Sequence, residues 1–296
     1  MQKTPNYSFQ VEIEGLKISE SHVYNKQSMK SRHYHETIEL FVLTEGERYY
    51  FVDRYVYHMK EKMAVLIPPG QIHKTSIIEG KPEHKRFLLQ FSKELFEGMI
   101  QSALGVTYEE LAHKYGGLIT FSDEGWKRLM SKYDELKKEA SKEPDDIAYS
   151  APMIKCLAFE LLLMYIQEMD MEQKLNTVMP SNESYRVTSG VYSTIQNVTE
   201  YINENYAEDI TLEMLSDRFF VSRAGLTRAF RNITGITIVQ YLTIVRIRMA
   251  CQYLKTTNDS ITAISSQCGF GNVTYFEKVF RRLRGMTPRQ YRRIVS

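Results

Sequence analysis

Two sets of side chains in this 296-residue sequence have types and spacings that could do chemistry. The first combines imidazole and carboxylate: His33, His35 and Glu39 in "HYHETIELFVLTEG", then His73 in "PPGQIH". On a strand, His33 and His35 point to one face. Glu39 follows in the same strand region, and His73 is expected from a facing strand. Three imidazoles and a carboxylate suit Zn, Mn, Fe or Ni. Without a metal, the same groups hydrogen-bond an organic ligand. The second set is basic and lies near the end of the chain. "CGFGNVTYFEKVFRRLRG" carries Lys278, Arg281, Arg282 and Arg284 within one short stretch.

Net charge is +2, but it is unevenly placed. Residues 191–296 hold 14 Lys and Arg against 8 Asp and Glu, a balance of +6, while the first 190 residues balance at −4. A basic final third beside an acidic remainder points to a polyanion partner for one part only. The hydrophobic share of 43% and charged share of 25% are those of a globular chain and exclude disorder. Cys156, Cys251 and Cys268 lie far apart without metal-ligand spacing, so they are read as reduced thiols in a cytoplasmic protein. The first ten residues lack the plan of a signal peptide. The apolar run from Leu157 to Ile166 is too short to span a bilayer, so no membrane partner is expected.

The elements that must position these side chains separate by period. From about 8 to 92, short β-branched and aromatic runs alternate with turn signals at Glu45-Gly46, Pro68-Pro69-Gly70 and Glu79-Gly80, which predicts a small β-barrel or sandwich. From 93 to 170 the spacing turns helical. Trp126, Leu129, Met130, Tyr133 and Leu136 form one stripe, with Ser122 or Asp123 as its cap. Ile154, Leu157, Ala158, Leu161, Leu162 and Tyr165 form a second, wider one. Both helices could simply cover the barrel, but so broad a face predicts that part of it is buried against a second subunit, hence a homodimer. Residues 171–190 lose periodicity and are read as a linker. The remainder, 191–296, is helical.

That last region repeats itself. "LTRAFRNITGITIVQYLTIV" from Leu226 aligns without a gap on "FEKVFRRLRGMTPRQYRRIV" from Phe276. Upstream, Phe220 is matched with Phe270, and Ser222 and Asn272 coincide as candidate caps. The first helix is expected to bury Leu226, Ala229, Phe230 and Ile233, and the second Phe276, Val279, Phe280 and Leu283. Gly235 and Gly285 end them. A shorter helix precedes each, which is a helix-turn-helix layout. The opposite faces present Arg223, Ala224, Thr227, Arg228 and Arg231 in one copy, and Val273, Thr274, Glu277, Lys278 and Arg281 in the other. Such faces suit the major groove, where short side chains let a helix sit deep and Arg or Lys reaches guanine or phosphate.

The segment from about Asn197 to Arg293 resembles the DNA-binding domain of the AraC/XylS family of transcription regulators. The resemblance rests on "SRAGLTRAFRNITGITIVQYL", the connecting "IVRIRMACQYL", and "CGFGNVTYFEKVFRRLRGMTPRQYRR". Ser216 and Ser265 stand where that family usually has alanine. The resemblance implies base contacts by Ala224, Thr227, Arg228, Val273, Thr274 and Lys278, and a structural rather than base-reading role for Arg246. The N-terminal residues resemble the two cupin motifs, H-x-H-x(3)-E-x(6)-G and P-x-G-x-x-H. Departures are Ile77 in place of an asparagine and Lys62 in place of a common glycine. The cupin resemblance implies either a metal held by His33, His35, Glu39 and His73, or an organic effector bound by the same four. Nearby tyrosines suit a carbohydrate.

The sequence therefore predicts an α+β multidomain chain: a cupin-like β-barrel with flanking helices, then an all-α domain of two helix-turn-helix units. The expected function is a cytoplasmic, effector-controlled activator that binds promoter or operator double-stranded DNA and meets RNA polymerase. Two alternatives are a metal-dependent cupin enzyme fused to a DNA-binding module, and an architectural DNA binder without an effector. No general base or substrate-orienting set is legible, so an enzyme is not expected.

Overall fold

The computed structural model describes residues 6–23, 35–78, 80–81, 83–142, 147–175 and 190–295. The chain divides into two units, Met1–Val187 and Thr188–Ser296.

The first unit contains strands β1 (Asn6–Ile13), β2 (Leu16–Val23), β3 (Ile38–Val52), β4 (Tyr55–Lys60), β5 (Met63–Ile67), β6 (His73–Ser76), β7 (His84–Phe91) and β8 (Gly117–Thr120). The order β1-β2-β7-β3-β5-β8 makes one antiparallel sheet, and β4 and β6 flank the far half of β3 in a second. The long β3 thus serves both sheets. It turns from one to the other at Gly46, next to a register shift between Leu43 and Glu45. Gly46 has φ +85°, and a Cβ there would lie 2.5 Å from the Glu83 carbonyl oxygen, so only glycine fits. Glu45-Gly46, expected as a turn between strands, is instead a bend within one strand. Lys62, which replaces the glycine common in the cupin motif, still takes a left-handed φ of +67°. Its amine pairs with Asp123 at 2.7 Å.

The bend at Gly46 decides which residues share the interior. Before it, Phe41 and Leu43 face an enclosed cluster with Val65, Ile67 and Leu88. After it the parity has changed, and Tyr50 and Val52 face that same cluster. Ile38, Leu40 and Val42 face the other way, into a larger core shared with the helices.

Those helices are α1 (Lys93–Leu104), α2 (Tyr108–Tyr115), α3 (Asp123–Ala140) and α4 (Ile147–Leu175). The segment from 93 to 170 is therefore not wholly helical: β8 interrupts it and pairs with β5. Ser122 caps α3, accepting from the Gly125 amide at 3.0 Å. The wide stripe of α4 is buried inside its own unit: Ile154, Leu157, Ala158, Leu161, Leu162 and Tyr165 all belong to the core shared with β2, β7 and α3. A second subunit is not needed to cover it. Helix α4 also extends into the predicted linker as far as Leu175; residues 176–189 of that linker lie outside the described residues. Ser150–Glu172 has the length and composition of a membrane span, but half of it is buried within the fold, as in the core helix of a globular domain.

The second unit is all helical: α5 (Gly190–Glu204), α6 (Leu212–Arg218), α7 (Arg223–Thr234), α8 (Ile238–Thr256), α9 (Ile261–Gln267), α10 (Val273–Arg284) and α11 (Pro288–Val295). Helices α6 and α7 form one helix-turn-helix unit and α9 and α10 the other, with α8 between them.

Candidate functional site

In the second unit, each reading helix is held at both ends and along one side. The Ser222 side chain accepts from the Gly225 amide at 3.2 Å, and Asn272 from the Tyr275 amide at 3.0 Å. Gly235 and Gly285 close the helices at φ +81° and +73°, positions that a left-handed residue fills most cheaply. Leu226, Phe230 and Ile233 are buried under α7, and Phe276, Val279 and Phe280 under α10. Ala229 and Leu283, also expected inside, are half-buried. The opposite faces are open. Arg223, Ala224, Thr227, Arg228 and Arg231 are exposed on α7, as are Thr274, Lys278 and Arg281 on α10; Val273 is half-buried. A helix with a docked apolar side and a free basic side can enter the major groove without disturbing its own core.

Arg246 behaves as a brace. From α8 its Nε donates to the Tyr206 carbonyl and its Nη2 to the Glu208 carbonyl, both at 2.7 Å. Its guanidinium also lies over the Phe270 ring. One side chain thereby joins the loop before α6 to the turn before α10.

The matching of Phe220 with Phe270 is corrected by the turns themselves. In the first copy the Val221 amide donates to the Ser216 carbonyl; in the second, the Phe270 amide donates to the Ser265 carbonyl. The left-handed residue is Phe220 in one turn and Gly269 in the other. Phe220 therefore corresponds to Gly269 and Val221 to Phe270. The second turn is one residue longer, at Gly271. Phe270 packs on Phe276 with ring centroids 5.1 Å apart, whereas Phe220 is 95% exposed.

In the first unit, His35, Glu39 and His73 converge, and their ligand atoms all lie within 4.8 Å of one another. His33 lies outside the described residues. Glu39 projects from β3 into the interior and is fully buried. His35 Nε2 lies 2.8 Å from Glu39 Oε2. Gln90, directly opposite on β7, donates to the same oxygen at 3.0 Å. The Tyr50 hydroxyl donates to Oε1 at 3.4 Å, and His73 Nε2 lies 3.6 Å from Oε1. Gln90 was not singled out by the sequence, and Tyr50 only as one of the barrel tyrosines suited to line a pocket.

Both imidazoles are oriented from behind. His35 Nδ1 lies 2.9 Å from the Thr37 carbonyl and His73 Nδ1 lies 3.0 Å from the Gln71 carbonyl, so each Nδ1 carries a proton and each Nε2 turns toward the carboxylate. Two unshared pairs facing an anion would repel. The contact needs a proton or a cation between them. Burial pushes the Glu39 carboxyl up, but the charge of His73 and the hydrogen bond and charge of His35 outweigh it and hold the group down at about 2. Burial likewise opposes charge on His35, yet its bond to Glu39 and that carboxylate's charge leave its pKa raised. The donor set fits a divalent metal, with both histidines fixed by outer carbonyls as metal-binding imidazoles usually are. It fits a proton-sharing polar cluster equally well.

An enclosed polar barrel joined to a pair of groove-sized basic helices defines a ligand-binding, DNA-binding regulator. Comparison with known proteins gives the same two parts. Residues 21–148 match the family model described as an AraC-like ligand binding domain, and residues 215–294 match one described as a helix-turn-helix domain. The chain belongs to the AraC family of transcription regulators. It is 24% identical over 285 residues to the HTH-type transcriptional regulator YisR of Bacillus subtilis, covering 93% of this chain and 92% of that one. It is 39% identical over 97 residues to the bifunctional transcriptional activator/DNA repair enzyme AdaA of the same organism, covering 33% of this chain and 46% of the relative. That match is confined to the DNA-binding region, so the repair activity in the name does not transfer. It is 33% identical over 98 residues to the HTH-type transcriptional activator RhaS of Escherichia fergusonii, covering 33% and 35% of the two chains. The chain is a DNA-binding regulator with a ligand-binding domain.

Proposed function

We propose that this regulator is a cytoplasmic activator that recognises its operator through α7 and α10 and contacts RNA polymerase when a small effector occupies the barrel. The observation that carries the reading is the repeated helix, capped at one end, stopped by glycine at the other, docked along its apolar side and open on the side that carries its basic residues. Ala224, Thr227, Arg228, Val273, Thr274 and Lys278 are assigned to base edges, and Arg223, Arg231 and Arg281 to the phosphate backbone. The effector is assigned to the interior beside His35, Glu39 and His73. The hydroxyls and ring faces of Tyr50 and Tyr57 support a carbohydrate there. The protein is assigned a homodimeric state, supported by the exposure of Met153, Cys156 and Met171 along the outer side of α4.

Binding to operator and random DNA across a salt series tests the assignment. Arg228→Ala is expected to cost about 1–3 kcal/mol and to relax preference at one base position. Arg231→Ala is expected to weaken both DNAs alike and to lower the salt slope by about one. An unchanged base preference in the first variant would remove Arg228 from the readout. A metal in the His35–Glu39–His73 cluster is a second reading, favoured by the two carbonyl-anchored imidazoles. Metal analysis of the purified wild type and of His73→Ala decides it.

A further inference from the structure

The interior holds a second polar group that neither the histidine cluster nor DNA binding uses. Arg48, on the far half of β3, shares the interior-facing parity of Tyr50 and Val52. Arg86, on β7, shares that of Leu88 and Gln90 and sits opposite Leu43. Their side chains are enclosed, at 2% and 8% exposure. Arg48 Nε and Nη1 and Arg86 Nη1 are buried with no hydrogen-bond partner.

No acid among the described residues neutralises them. Glu39 is taken by His35, Gln90, Tyr50 and His73. Glu45 pairs with Lys85, and Glu47 with Lys81 and His58, on the outer side of β3. Phe41 offers its ring face to Arg86, with the guanidinium carbon 5.4 Å from the ring centroid, which holds the plane but leaves the N–H edge free. The two guanidiniums feel each other: burial first, and then the charge of Arg86, bring the Arg48 pKa down to about 10. Arginine does not escape such a position by losing its proton at ordinary pH. Two like charges enclosed without a counter-ion are costly, and the cost is removed by an anion with several acceptor oxygens.

We propose that Arg48 and Arg86 form an oxyanion site inside the barrel, which takes a carboxylate or phosphate group of the effector. The inference rests on the barrel being the effector pocket, and it narrows the effector class from neutral sugars to acids such as sugar acids or sugar phosphates. Glu39 and the two imidazoles then meet the ligand's hydroxyl groups, with Tyr50 between the two polar groups.

The test uses the full chain and three probes at constant ionic strength: inorganic phosphate, glucuronate and glucose. Thermal melting is followed for the wild type, Arg48→Gln, Arg86→Gln and the double variant. Phosphate and glucuronate are expected to raise the wild-type Tm saturably, with glucose clearly weaker. Each single variant should need roughly tenfold more anion for the same rise, as befits loss of a charge-assisted bond. The single variants carry the test if the double variant does not fold. Equal stabilisation of wild type and variants by either anion overturns the proposal, because the anion then binds elsewhere, for instance on the basic helices. So does a wild type that neither anion stabilises. Glucose stabilising wild type and variants alike overturns the oxyanion site while keeping the effector pocket. A wild type that responds to none of the three, yet binds operator normally, counts against both.

Discussion

Phe230 meets Tyr241 edge-on with ring centroids 5.6 Å apart, and fifty residues later Phe280 meets Tyr291 in the same way at 5.6 Å. Thr237 and Gln240 exchange capping bonds at the start of α8; Thr287 and Gln290 do so at the start of α11. From the cap of each reading helix onward, the two helix-turn-helix units are alike. Before the cap they part. The second turn places glycine in the left-handed position and tucks Phe270 into the core, while the first puts Phe220 in that position and leaves its ring in solvent. The helix that reads and the joint that follows it share one frame, because each helix is capped at its start and docked along one side. The turn is held by backbone hydrogen bonds, which one extra residue and a different side chain leave intact.

Substitutions at equivalent positions in the two copies sharpen this contrast. The largest effect is expected from Gly269→Ala. It combines a φ of +76° with a Cβ that would sit 2.7 Å from the Ala207 carbonyl and 2.9 Å from Arg246 Nη2. A loss of about 3 kcal/mol in denaturant unfolding is expected, whereas Phe220→Ala, its counterpart, should be far milder. Arg246→Ala comes next. Losing two charge-assisted bonds to carbonyls should cost about 2 kcal/mol and weaken DNA binding that depends on both units together. If one unit alone loosens by hydrogen exchange, the brace joins less than the geometry implies. Smaller and equal losses, about 1 kcal/mol each, are expected for Ser222→Ala and Asn272→Ala, since the caps are the shared part. The smallest effects are gains. Phe220→Gly should relieve left-handed strain by about 0.5–1 kcal/mol. Ser265→Ala should also stabilise slightly, because the hydroxyl is buried without a partner; a melting temperature that falls in either case would contradict the description of that turn.

Most of the second unit was legible in the sequence because its signals are local. Caps, glycine stops and the i, i+3, i+4, i+7 spacing act within one helix. The exception was the match of Phe220 with Phe270: identical residue types suggested equivalence, but the hydrogen bonds to Ser216 and Ser265 put the insertion at Gly271. In the first unit the convergence of His35, Glu39 and His73 was foreseen through the cupin resemblance. The arginine pair was not. Arg48 and Glu39 share a facing only because the parity of β3 changes near Gly46, and Glu45-Gly46 had been expected to end the strand. Strand β8 escaped notice as well, since four residues between two helices are too few to show a period. The stripe of α4 was read correctly as apolar, but its width does not reveal whether a sheet of the same chain or a second copy covers it.

Helix α8 sets a gauge. Its 19 residues span about 28 Å, close to the roughly 34 Å of one DNA turn. At its start Tyr241 meets Phe230 of the first reading helix, in its second half Ala250, Cys251 and Leu254 share a core with Phe276 and Phe280 of the second, and near its middle Arg246 pins both neighbouring loops. The two reading helices are therefore fixed in phase as well as in distance. One residue added within α8 would advance the second reader by about 1.5 Å and swing it through about 100°. Each unit would keep its fold, and the pair would fall out of step with the double helix.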